Sequence, residues 1–160
     1  MLVLAEEKKR RSNLKNDLLL LLSIPFLIIW VPIVIFVFVA NRLALHLLVR
    51  LLWLPRGKNV LVVYSDSPIW HEYMTKEILP VVAERAVTLN WSERKKWHRW
   101  RLGVAVFHHF AGGREFNPLV MLFRPVRLAR VFRFWSAFKD WKRGYREPVD
   151  RLRQDLLNAL

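Results

Sequence analysis

Residues 18–40 read LLLLLSIPFLIIWVPIVIFVFVA, a run of 23 residues without one charged side chain. At about 1.5 Å per residue, a helix over this run is roughly 34 Å long, enough to cross about 30 Å of hydrocarbon. The run predicts a transmembrane helix over 18–40. A secretory signal would have a shorter apolar stretch of about 7–15 residues and a small-x-small cleavage site. Phe38-Val39-Ala40-Asn41 does not fit such a site, so an uncleaved, single-pass anchor is expected. Pro25 and Pro32 lie inside the run. Neighbouring groups can re-satisfy the carbonyls they free in a bilayer. They leave two alternatives, a kinked span and a re-entrant hairpin.

The flanks carry the charge. Residues 1–17 form a charged tail with Glu6-Glu7 and Lys8-Lys9-Arg10-Arg11, without apolar periodicity. The tail is expected to be disordered or a frayed helix. Residues 41–55 place Arg42, His46 and Arg50 at i, i+4, i+8, one polar stripe on an otherwise apolar helix. This segment is expected to be an interfacial amphipathic helix or a continuation of the span that bends along the surface. Pro55-Arg56-Gly57 stops it. Lys and Arg nearly balance across the span, so the positive-inside rule decides little. The 27 Lys+Arg against 13 Asp+Glu give a net charge of +14, which suits an anionic leaflet and places the domain on the cytoplasmic face. There is no cysteine, which excludes disulfides, thiolate metal sites and Cys nucleophiles.

Residues 58–160 are enough for one small domain. The apolar β-branched run 59–64 reads as a strand buried on both faces. Ser65-Asp66-Ser67-Pro68 follows as a turn, and apolar residues then recur at helical spacing over 69–85. A short strand is expected over 86–91. Ser92 is expected to cap a single helix over 92–110, ended by Gly112-Gly113. Strands over 117–123 and 131–135 are close enough for an antiparallel hairpin. Helices over 136–142 and 149–160 close the chain. The order is β-α-β-α-β-β-α, an α/β domain with early parallel pairing.

That order resembles the thioredoxin-like fold of glutaredoxin type. Where that family has Cys-Pro-x-Cys at the mouth of the first helix, this chain has Ser67-Pro68-Ile69-Trp70. Asn117-Pro118 stands where the family has a cis-proline facing that motif. The resemblance implies a thioredoxin-like domain over 58–160. Thiol–disulfide exchange needs a thiolate, and Ser67 and Trp70 replace both cysteines, so a redox-inactive binding scaffold is implied. The start NVLVVYSDSP also looks like the opening strand-turn of nucleotide-sugar glycosyltransferases, a fold that needs more chain than this.

Two sets of candidate residues follow. Ser65, Asp66, Ser67, Pro68, Trp70 and Pro118 are expected around the crevice where β-strands meet the first helix. Arg94, Lys95, Lys96, Trp97, Arg99, Trp100 and Arg101 interleave cations with indoles, a pattern for anionic headgroups. Arg124, Arg127 and Arg130 are expected to extend that surface. Single-stranded nucleic acid would also stack on such residues and is disfavoured because the chain is anchored beside lipid. His108-His109, with Glu115 nearby, does not make a metal site, and no cofactor is expected. Gly112-Gly113-Arg114-Glu115-Phe116 resembles the GGDEF signature of diguanylate cyclases and is rejected, since Arg114 takes the metal-binding acid's place. Gly-x-Ser-x-Gly and a Gly-rich phosphate loop are absent.

The sequence thus predicts a membrane-anchored binding or scaffold module at an anionic bilayer, with a protein partner as a further possibility. The alternative is a small membrane-bound transferase- or hydrolase-like enzyme. It would act on an anionic lipid or sugar-phosphate, with Ser65, Asp66 and His71 as its polar groups.

Overall fold

The computed structural model describes every residue except Met1, 113–116, 125 and 126, and side chains from Ile24 onward except Pro25. The chain divides into two compact units, Met1–Leu43 and Ala44–Leu160.

The first unit is helical. Helix α1 (Leu2–Leu52) is 51 residues long and runs without interruption through Pro25 and Pro32. The tail, expected to be disordered or a frayed helix, is part of it. Residues 2–17 are rich in Leu, Ala, Glu, Lys and Arg, all strong helix formers, and a helix once nucleated propagates through such a sequence cheaply. Ile28 is 66% exposed, Val34 62% and Phe36 73%, so apolar side chains cover every face. Among the described residues, one helix is long and apolar enough to cross a membrane, with a mean hydropathy of 2.3.

The second unit begins while α1 is still running. Within residues 41–55, expected as an interfacial helix or a continuation of the span, α1 runs on to Leu52, and Val49 is fully buried and Trp53 7% exposed, both within the domain core. The His46 ring meets the edges of Phe110 and Phe123 at 4.9 and 5.7 Å. The expected polar stripe is therefore interrupted by a histidine turned towards aromatic rings.

Four strands form one mixed sheet in the order β2-β1-β3-β4. β1 (Val60–Tyr64) is parallel to β2 (Ala86–Asn90) and antiparallel to β3 (Leu119–Leu122). β3 pairs antiparallel with β4 (Arg130–Arg133), as the expected hairpin requires. The register sets Val60 beside Ala86 and Tyr64 beside Asn90, so β1 and β2 share a C-terminal end. The chain leaves β1 and β2 and enters β3 at that end.

The apolar run of β1 is explained by layers on both faces. Val60 and Val62 face α2 (Trp70–Tyr73), α5 (Phe134–Lys142) and α6 (Glu147–Leu157). Leu61 and Val63 face α4 (Leu102–Phe110) together with Val49 and Trp53. The first crossover is one helical run with a π-helical segment, Met74–Ile78, ahead of α3 (Leu79–Val82). Pro80 has no N–H and its ring crowds the carbonyl four residues back. The widened turn absorbs this, and Leu79 N–H donates to the Met74 carbonyl.

Two expected boundaries are corrected. The single helix over 92–110 is split into a 3₁₀ segment, Trp91–Lys96, an irregular stretch over 97–101, and α4. Ser92 is not the cap: the Asn90 side chain accepts the Ser92 N–H at 3.0 Å. The strand expected over 131–135 ends at Arg133, and Phe134 and Trp135 open α5. Phe134 and Phe138 are four apart and fully buried, so helical spacing overrides the alternation of VFRFW.

Candidate functional site

At the shared C-terminal end of β1 and β2 the polar residues tie two loops together. Asp66 N–H donates to Ser92 Oγ at 2.9 Å, and Asn90 Nδ2 donates to Asp66 Oδ1 at 2.9 Å. His71 Nδ1 lies 3.6 Å from Asp66 Oδ1. The Asp66 carboxylate is thus engaged by the β2 end and by His71. Asn90-Trp91-Ser92 fits the N-x-S glycosylation pattern. Its carboxamide, however, is bonded on both sides, to Asp66 and to the Ser92 N–H.

Beside this knot is a cleft of about 460 Å³. Ser65, Ser67 and Trp70, all expected there, line it together with Asn117, Trp135 and Lys142. The cleft holds two hydroxyls, a carboxamide and one ammonium between indole rings. Lys142 Nζ stands 5.4 Å from the Trp70 ring centroid, within cation–π range. The Trp70 ring stacks on Phe138 at 4.2 Å with 3° between planes, so its position is fixed from below. The other expected crevice residues do not line the cleft. Asp66 turns to Asn90, and Pro68 is exposed in the turn before α2. Pro118 is buried behind a cis Asn117–Pro118 bond, its carbonyl accepting the Phe134 N–H at 3.0 Å. Asn117 reaches this end through the start of β3, beside the expected Pro118, whereas Trp135 and Lys142 were missed by the sequence reading because only α5 carries them there.

Three titrating groups nearby are displaced. A hydrogen bond from Lys76, with its charge, lowers the Glu72 carboxyl and raises the Lys76 ammonium; both are fully exposed. Burial raises the Tyr73 hydroxyl.

The basic loop follows β2 at the same end. Arg94, Lys95, Lys96, Arg99 and Arg101 are all exposed. Lys96 pairs with Glu93 at 3.1 Å, and the Arg94 guanidinium lies 5.2 Å from the Trp91 ring. Trp97 turns inward, its ring edge-on to Trp91 at 5.8 Å and to Phe107 at 5.6 Å. Trp97 and Arg101 have extended backbones, at ψ 125° and 120°, which carries the chain out between them. Trp100 stands at the tip, 98% exposed.

Arg124, Arg127 and Arg130 do not extend this loop. β3 runs against β1, so its C-terminal end and the residues after it lie at the opposite end of the sheet. A five-residue strand puts about 13 Å between the two ends. Arg124 and Arg127 line a separate cavity there, and Arg130 covers the Phe132 ring at 4.8 Å. Among the described residues no group of three or more His, Asp or Glu is placed to hold a metal. Glu115, the carboxylate weighed with His108-His109, lies outside the described residues, as does most of the 112–116 motif. Compared with known protein families, curated proteins and solved structures, the chain matches none.

Proposed function

We propose that the chain is a single-span membrane protein whose thioredoxin-like domain, without redox cysteines, acts as a binding module on an anionic membrane surface at the cytoplasmic side. The thioredoxin-like reading is supported by the strand order β2-β1-β3-β4 and by the cis Asn117–Pro118 bond ahead of β3. The observation that carries the lipid reading is Trp100, 98% exposed between Arg99 and Arg101. A tryptophan so exposed wastes its apolar area in water, whereas at headgroup depth it recovers part of it. The flanking guanidiniums favour anionic lipid by about 1 kcal/mol each near the surface. The inward Trp97 holds the loop base, so little ordering is needed on docking.

Because the chain has no cysteine, His98→Cys carries a single polarity-sensitive dye. With the full chain in nanodiscs, the dye emission is expected to shift to the blue when phosphatidylserine replaces part of the phosphatidylcholine. Identical spectra in the two lipids would remove the docking role.

A second reading is favoured by the cleft at Ser65 and Ser67, where Lys142 gives an anionic group a counter-charge. It makes the domain a transferase- or hydrolase-like enzyme for an anionic lipid or sugar-phosphate. If Ser65→Ala and Asp66→Asn each restore a deletion strain fully, the enzyme reading goes.

A further inference from the structure

The sheet end away from the basic loop holds the second cavity, about 360 Å³. Asn59 precedes β1, Arg85 precedes β2, Leu122 ends β3 and Arg124 follows it, so the sheet itself gathers these residues. Arg127 completes the basic wall. Two of the arginines are held in place. Arg85 Nε donates to Asn59 Oδ1 at 3.1 Å, and its Nη1 donates to a main-chain oxygen of Leu160 at 3.3 Å. Arg124 Nη2 donates to the Ala159 carbonyl at 2.8 Å. The Asn59 carboxamide and the Ala159 carbonyl orient the guanidiniums without neutralising them.

The charge balance here differs from that on the helices. Arg143, Arg146, Arg151 and Arg153 each have a carboxylate within ion-pair distance. Among the described residues, Arg85, Arg124 and Arg127 have none. Even with the Leu160 oxygen counted as an anion, three guanidiniums face one. Like charges gathered around one concavity repel, and a bound polyanion relieves that repulsion.

We propose that this cavity binds a phosphate ester, its phosphoryl oxygens between Arg85, Arg124 and Arg127 and its organic part against Leu122. Guanidinium forks match phosphate oxygens in pairs, and a doubly charged phosphomonoester offsets more of the three charges than a carboxylate does. The ester can belong to a lipid headgroup or to a soluble metabolite. The inference is independent of docking by the 91–101 loop, since the two lie at opposite ends of the sheet.

The test uses the full chain in phosphatidylcholine nanodiscs, titrated calorimetrically with glycerol 3-phosphate, and a second set of discs containing phosphatidic acid. None of the described hydrogen bonds uses Arg127, so Arg127→Gln leaves the described contacts intact. Loss of one charged hydrogen bond corresponds to a fall in affinity of roughly tenfold to a hundredfold. Saturable glycerol 3-phosphate binding that falls by this factor in Arg127→Gln supports the site with a soluble ester. Binding seen only with phosphatidic acid, and weakened by the same substitution, supports it with a headgroup. Trp100→Ala is expected to leave the glycerol 3-phosphate result unchanged, which separates this site from the loop. No binding of either probe, or binding that survives Arg127→Gln, overturns the proposal.

Discussion

Phe138→Ala is expected to cost the domain about 3–5 kcal/mol, the range for removing a fully buried aromatic ring. Phe138 is completely buried in the layer between the sheet and helices α5 and α6. Its ring stacks flat on Trp70 at 4.2 Å and receives the edge of Tyr73 at 5.5 Å. Phe134 and Trp141 lie 5.8 and 6.1 Å away, so four rings meet around this one side chain. Rings of this size cannot slide into the space a phenyl leaves without abandoning their own contacts, so the cavity persists. The change is read from urea unfolding of the detergent-solubilised chain, followed by near-UV dichroism, whose aromatic signal comes from such packing. A loss below about 1 kcal/mol would mean that the cluster collapses freely around the gap. The same substitution bears on the cleft. Trp70 forms part of the cleft wall and rests on Phe138, so the cleft should loosen before the sheet does.

What the sequence made legible, and what it hid, follows from how local each signal is. The run 59–64 announces β1 because a strand covered on both faces needs apolar residues at every position. The antiparallel β3–β4 pair was legible because its connection is short. The 91–101 segment was not. Its charged and aromatic residues are compatible with a helix, and the decision rests on two contacts with residues elsewhere. Asn90 is drawn to Asp66, 24 residues earlier, and Trp97 is drawn inward to Phe107. Both pull the backbone out of helical geometry. The split of the basic residues between the two sheet ends was equally hidden, since it depends on β3 running against β1. Arg85 shows the same limit: nothing near it in sequence marks it as a neighbour of Arg124, yet parallel and antiparallel pairing to β1 bring both to one cavity.

The largest expected effect on membrane contact comes from the loop tip. Replacing Arg99, Trp100 and Arg101 together by Ser should weaken docking on phosphatidylserine-containing discs by roughly a hundredfold or more. The estimate combines about 1 kcal/mol for each arginine near an anionic surface with a further ~1–2 kcal/mol for part of the apolar area of the indole, and 1.4 kcal/mol is tenfold. The readout is the emission of the dye at His98→Cys as the phosphatidylserine fraction rises, with the half-docking point moving to higher anionic content or out of range. None of these residues carries a contact within the core: Trp100 is 98% exposed and both arginines are exposed. The fold should therefore survive, and unchanged urea unfolding is the control. Salt separates the two parts of the effect. The arginine share falls as ionic strength shortens the screening length to about 8 Å at 0.15 M, while the indole share does not. Arg99→Ser with Arg101→Ser should therefore lose most of its effect in high salt, and Trp100→Ser should keep its own. If the triple substitution leaves the half-docking point where it was, the exposed indole and its flanking charges are not a lipid contact. Trp100 would then be the anchor of a protein interface, where a single exposed tryptophan ringed by arginines is the usual composition of a binding hot spot.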